Sequence, residues 1–147
     1  MAVGGGDGGN ITITSGDDAL VDGIVNNRST QTGGTITFTG IDGSTTVSNN
    51  GNNTSFAINN STSGGNGGTI IMTSSGTGED VIVGGSILNT STGAGGNITL
   101  DANGDDVSVA KNISGTGWIS TNIDNSTTNG QGGTVTVEAF DTVLLRG

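Results

Sequence analysis

The sequence predicts an all-β chain, a right-handed parallel β-helix built as a three-sided solenoid of about five coils, with residues 1–147 forming one domain. Three observations predict it. Composition comes first. Gly (30), Thr (24), Asn (17) and Ser (15) make up more than half of the chain. All four are poor helix formers, and strong formers are scarce. The second observation is a diglycine followed by a short alternating segment, which occurs five times, beginning near residues 8, 33, 67, 95 and 132. The third is that two further motifs recur between the diglycines in one fixed order. Repetition at this period marks a solenoid, whose repeats bury their apolar faces only by stacking on their neighbours.

The elements follow in chain order within each repeat. The first strand reads Gly8-Gly9-Asn10-Ile11-Thr12-Ile13, then Gly33-Gly34-Thr35-Ile36-Thr37-Phe38, Gly67-Gly68-Thr69-Ile70-Ile71-Met72, Gly95-Gly96-Asn97-Ile98-Thr99-Leu100 and Gly132-Gly133-Thr134-Val135-Thr136-Val137. Its period-2 alternation puts Ile11/Ile13, Ile36/Phe38, Ile70/Met72, Ile98/Leu100 and Val135/Val137 on one face. The second strand carries Ala19/Val21, Val47, Val81/Val83 and Val107/Val109, with Asp141-Thr142-Val143-Leu144 as a weaker copy. The third is expected at Ile24, Phe56/Ile58, Ile87 and Ile119. Gly, Asn, Asp and Ser cluster between strands, where corners need them. Coils about 4.8 Å apart would make a rod on the order of 20–25 Å long. An antiparallel β-sandwich is the alternative architecture for many short strands. It leaves the fixed order of the motifs unexplained.

Composition and charge exclude several functional classes. There is no Cys, hence no disulfide framework or thiolate metal site, and no His, hence no imidazole base or ligand. The net charge is −10, and the only basic residues are Arg28, Lys111 and Arg146, so a nucleic-acid partner is not expected. No apolar run approaches the length of about 18 residues that suggests a membrane-spanning helix, so membrane insertion is not expected. The stretch from Met1 to Asp7 has neither the charged nor the apolar region of a signal peptide, and none is expected at this start. The basic residues lie in different repeats, away from any common column of carboxylates. Enzymatic activity is therefore not expected. Four aromatic residues are present: Phe38, Phe56 and Phe140, read as core, and Trp118, which sits in the longest insertion and is either a core plug or a sugar platform.

Four sets of residues are candidates for a role. Asn27, Asn59, Asn89 and Asp124 precede successive diglycines and suggest a hydrogen-bonded ladder at a corner. Thr12, Thr37, Thr99 and Thr136 point outward from the first strand, interrupted by Ile71. A regular Thr array can order water and bind ice; Thr also simply favours strands and solvates their outer face. Asp18, Asp80 and Asp106 recur at another corner. They read as calcium ligands, since calcium takes oxygen donors, or as solvated turn residues. No other cofactor is expected. Asn-x-Ser/Thr occurs at Asn10, Asn27, Asn60, Asn97, Asn112 and Asn125, a frequency that composition accounts for.

The Gly-Gly-[Asn/Thr]-[Ile/Val]-Thr-apolar strand, the Ser/Thr-rich approach to the diglycine and the Asp-x-x-Val strand together resemble the passenger repeats of filamentous-haemagglutinin-like exoproteins, which Gram-negative bacteria export by two-partner secretion. The resemblance covers nearly the whole chain. It implies a secreted or cell-surface β-helical rod that serves adhesion or aggregation, with neighbouring-cell or host glycans and proteins as partners. It also implies that glycosylation of Asn-x-Ser/Thr sites is to be considered. The family's secretion domain carries Asn-Pro motifs, and this sequence has no Pro. An internal or C-terminal piece of a longer rod is expected on that ground. With no capping helix foreseen at either end, the open rungs would pair end to end between chains.

Overall fold

The computed structural model describes residues 6–49, 56–113, 117–119 and 121–146. Among them are sixteen strands and no helix. Three sheets are built entirely of parallel strands, and the chain visits them in turn. The first holds β1 (Asn10–Ser15), β4 (Thr35–Gly40), β7 (Thr69–Ser74), β10 (Asn97–Ala102) and β15 (Thr134–Ala139). The second holds β2 (Ala19–Asp22), β5 (Thr45–Ser48), β8 (Val81–Gly84), β11 (Val107–Val109) and β16 (Val143–Leu145). The third holds β3 (Val25–Asn26), β6 (Phe56–Asn59), β9 (Ser86–Leu88) and β14 (Ile123–Asp124). This is a three-sided parallel β-helix. Each strand pairs with its counterpart one coil away, and a sandwich of antiparallel pairs is ruled out.

Register explains why the motifs repeat. In the first sheet Ile11, Ile36, Ile70, Ile98 and Val135 stand in one inward column, and Ile13, Phe38, Met72, Leu100 and Val137 in the next. In the second sheet the inner columns are Ala19/Thr45/Val81/Val107/Val143 and Val21/Val47/Val83/Val109/Leu145. Most of these residues meet in one continuous apolar cluster, sealed at the middle coils, with Ile11, Ile13, Val21 and Val137 partly buried against it; Val135, Val143 and Leu145 reach solvent. Thr45 interrupts its column without leaving a polar group unpaired. Its hydroxyl donates to Thr73 O (2.7 Å) and accepts from Gly40 N (2.8 Å).

The third sheet departs from the sequence expectation at two positions. Val25, not Ile24, enters the core, in register with Ile58. Only Gly23 and Ile24 separate β2 from β3, and Gly23 turns the corner at a positive φ of 140°. So tight a corner shifts the inward parity by one residue. Ile119 likewise is not the coil-four member; Ile123 is, paired with Ile87. Ile119 belongs to an antiparallel hairpin of β12 (Lys111–Ile113) and β13 (Gly117–Ile119), inserted between β11 and β14. The chain rejoins the coil at Thr121, whose N–H donates to Arg146 O (3.0 Å) and whose hydroxyl donates to Val109 O (3.2 Å).

Candidate functional site

A single spine along the corner between the third and first sheets holds the coils in line. Asn27 Nδ2 donates to Asn60 Oδ1 (3.0 Å), Asn60 Nδ2 to Asn89 Oδ1 (3.3 Å) and Asn89 Nδ2 to Asn125 Oδ1 (2.9 Å). Each amide also donates to a diglycine carbonyl: Asn27 to Gly9 O (2.8 Å), Asn60 to Gly34 O (3.0 Å), Asn89 to Gly68 O (3.0 Å) and Asn125 to Gly96 O (2.8 Å). Asn27, Asn60 and Asn89 are buried. A carboxamide carries donor and acceptor at once, so a column of them satisfies itself without charge.

The diglycine is the other half of this device. A Cβ on Gly34 would stand 2.6 Å from Asn27 Nδ2, and one on Gly96 2.5 Å from Asn89 Nδ2. On Gly68 and Gly133 it would collide with the Asn60 and Asn125 amides and with the carbonyls they hold. The first glycine of each pair packs on the second glycine of the following coil: Gly33 on Gly68, Gly67 on Gly96 and Gly95 on Gly133. Two glycines in sequence are thus required by the close approach of neighbouring coils at this corner.

The structure corrects the expected ladder at two of its four positions. Asn27 and Asn89 belong to it; Asn59 and Asp124 do not, and Asn60 and Asn125 take their places. Asn59 and Asp124 are in register with Leu88. Each accepts at Oδ1 from the N–H two residues on, Ser61 (3.1 Å) and Ser126 (3.1 Å), and so shapes its own corner locally. Hydroxyl spacing does not separate the two sets, since Ser61 and Ser126 follow Asn59 and Asp124 at the same interval at which Thr62 and Thr127 follow Asn60 and Asn125; the stacking register does. Ser29 pairs with Thr62 and Ser91 with Thr127 across coils. Ser29 Oγ donates to Thr32 O (2.9 Å), Thr62 Oγ1 to Gly64 O (2.9 Å) and Ser91 Oγ to Ala94 O (2.9 Å). The Asn-x-Ser/Thr pattern at Asn27, Asn60, Asn89 and Asn125 is therefore the imprint of two adjacent ladders.

The corner between the first and second sheets uses carboxylates. Asp18 Oδ1 accepts from Ser44 N (2.8 Å), Asp80 Oδ1 from Asp106 N (3.1 Å) and Asp106 Oδ1 from Thr142 N (2.9 Å). Coil two has Ser44 instead of Asp, whose hydroxyl accepts from Asp80 N (3.0 Å) and donates to Glu79 Oε2 (2.7 Å). Carboxylate oxygens of Asp80, Asp105 and Asp106 lie within 4.8 Å of one another. Of the calcium candidates, Asp80 and Asp106 are thus brought together with Asp105, and Asp18 is left apart, with Ser44 between. The donor set suits a hard cation such as calcium, although Asp80 and Asp106 each already hold a backbone N–H. Partial desolvation, then the charges of Asp106, Asp80 and Asp141, raise the Asp105 carboxyl above its ordinary value.

The outer face of the first sheet carries the expected Thr array. Thr12, Thr37, Thr99 and Thr136 stand in one column with Ile71 between Thr37 and Thr99. The flanking columns read Asn10/Thr35/Thr69/Asn97/Thr134 and Thr14/Thr39/Thr73/Asp101/Glu138. Ten of these fifteen positions are Thr. The outer column of the second sheet, Leu20/Thr46/Ile82/Ser108/Leu144, has one. Among the Phe residues, Phe38 is core as expected. Phe140 is not: it lies one residue past β15 on the outward side and is 82 % exposed, beside a shallow cleft lined by Asp101, Asn103 and Glu138. Trp118 stands opposite Asn112 in the hairpin. Its side chain, and with it the choice between core plug and sugar platform, lies outside the described residues. No protein-family model, curated protein or solved structure matches this chain.

Proposed function

We propose that this chain is a non-catalytic structural segment, a stack of coils forming part of an extended rod. We place that rod on the surface of a Gram-negative bacterium, secreted or displayed as in the filamentous-haemagglutinin-like exoproteins it resembles. Its work there is adhesion, aggregation or filament assembly. The observation that carries this reading is the stack itself, whose inner apolar columns are sealed only by the coils on either side. Columns sealed at Ile70, Val81 and Val83 reach solvent at Val135 (44 % exposed), Val143 (46 %) and Leu145 (53 %). An open apolar rung with unpaired strand edges templates another coil, whether of the same chain or of a second copy. Its partners on this reading are other coils, met end to end, and cell-surface glycans or proteins met along its sides.

Negative-stain electron microscopy across a concentration series tests the assembly part. Rods of uniform width that lengthen with concentration are expected, and the double substitution Val143→Lys/Leu145→Lys should abolish them while the inner coils keep their thermal transition. Discrete particles of one size at every concentration would refute assembly through the open rung. The concentration of Thr on the first sheet supports a second reading, an ice-binding face. Thermal hysteresis that disappears in Thr37→Tyr is its test.

A further inference from the structure

Four Asn-Gly dipeptides occur: Asn50-Gly51, Asn66-Gly67, Asn103-Gly104 and Asn129-Gly130. The first lies outside the described residues. The other three sit at corners where the fold itself demands glycine. A Cβ on Gly67 would meet the Gly96 backbone, one on Gly104 the carbonyl of Gly76, and one on Gly130 that of Gly93. Coil packing therefore forces glycine into these corners, and with asparagine before it the result is the dipeptide in which a backbone nitrogen most easily reaches the preceding side chain, because glycine has no Cβ to obstruct the approach.

The chemistry is a loss of ammonia. The glycine nitrogen, shedding its proton, bonds to Cγ of the asparagine, the side-chain nitrogen leaves as ammonia, and a five-membered succinimide remains. Water then opens one of the two ring C–N bonds and yields aspartate or isoaspartate. The balance is one water consumed and one ammonia released. The step needs the glycine N–H untied and the asparagine amide free to swing over it.

All three side chains are exposed, so accessibility does not distinguish them. Hydrogen bonding does. Gly67 N donates to Ala94 O (2.8 Å), and Asn66 Oδ1 accepts from Ala94 N (3.0 Å). Both reacting groups of that pair are held by one residue of the next coil. Among the described residues, the N–H groups of Gly104 and Gly130 make no hydrogen bond. The Asn103 amide has only a long 3.5 Å contact with Asp101 Oδ2, and the Asn129 amide has none. We propose that Asn103 and Asn129 are sites of spontaneous deamidation in the folded protein and that the bridge to Ala94 protects Asn66. Conversion at Asn103 sets a new carboxylate in the cleft already lined by Asp101 and Glu138. Its isoaspartyl form also lengthens the backbone by one methylene at the corner between β10 and β11.

The test is incubation of the intact chain in mildly alkaline buffer, folded and in urea, followed by peptide mapping that counts acid and isoaspartyl products at each site. In the folded sample Asn103 and Asn129 should convert several-fold faster than Asn66, and in urea the three rates should converge as the protecting bonds are lost. Asn103→Gln should remove the product at that site and leave Asn129 converting. Equal native rates at all three sites, or native Asn103 and Asn129 as inert as Asn66, would overturn the proposal.

Discussion

Two corners of the same coil solve one problem in opposite ways. Where the third sheet turns into the first, an asparagine reaches across to the next coil; where the first turns into the second, an aspartate or serine does. Asparagine both donates and accepts, so Asn27, Asn60, Asn89 and Asn125 form a chain that closes on itself and can be buried. Aspartate only accepts. It satisfies a backbone N–H of the next coil and then faces the carboxylate above it. That column stays at the solvent edge and is broken by Ser44, and desolvation followed by the charges of Asp106, Asp80 and Asp141 raises the neighbouring Asp105 carboxyl. A self-complementary side chain can repeat indefinitely along a solenoid, and a like-charged one cannot.

Four substitutions break or sharpen this contrast. The largest effect is expected from Gly68→Ala. The new methyl would take the space of the Asn60 amide and the Gly34 carbonyl, both in the rigid spine. A loss of about 4 kcal/mol is expected, at the top of the range for single substitutions, read as the shift in a denaturant midpoint. Asn60→Ala comes next. It takes from the buried Asn89 Oδ1 its amide donor, leaves the Gly34 carbonyl only the Thr69 N–H, and cuts the ladder in two, at a cost of about 3 kcal/mol. Asn60→Asp sharpens the point. A carboxylate at that buried site has its ionised form disfavoured, so its folded-state pKa rises above the unfolded value and the folded protein is relatively stabilised by protonation. The variant should therefore be worst at neutral pH and recover toward acid. A flat pH profile would remove charge from the explanation.

The smallest effect belongs to Asp105→Asn. The native carboxyl titrates above its unfolded value because of desolvation and three neighbouring carboxylates. Its favourable contribution to folding is therefore present in acid and lost as pH rises through the folded pKa. Above that, the ionised group opposes folding. Asp105→Asn should raise the melting temperature at neutral pH, and the gain should shrink as the solution is acidified. An equal gain at both pH values would mean that repulsion is not its origin.

The first and second strands of every coil were legible in the sequence, because alternation at period 2 leaves little choice of face. Ile36/Phe38 and Val81/Val83 point inward as the pattern requires. The third side was legible only in outline. Its strands are two to four residues long, too short for alternation to establish parity, and a corner as tight as Gly23-Ile24 moves the inward residue by one. The ladder failed for a related reason. Asn59-Asn60 and Asp124-Asn125 each offer two polar candidates, and composition does not choose between them. Nor does the hydroxyl two residues on, because Ser61 and Ser126 follow Asn59 and Asp124 just as Thr62 and Thr127 follow Asn60 and Asn125; only the stacking register chooses.

The sequence alone determined that the chain is a repeating, helix-free stack with apolar columns inside. Glycine abundance, poor helix formers and ordered repeats admit little else, and each repeat can bury its apolar face only against a copy of itself. Which asparagine links the coils, why glycine comes in pairs, which aspartates meet and which Asn-Gly pair is shielded all depend on contacts between residues some 20 to 35 positions apart. Such contacts exist only once one coil is laid on the next at a particular register, and register is a property of the stack, not of any one repeat.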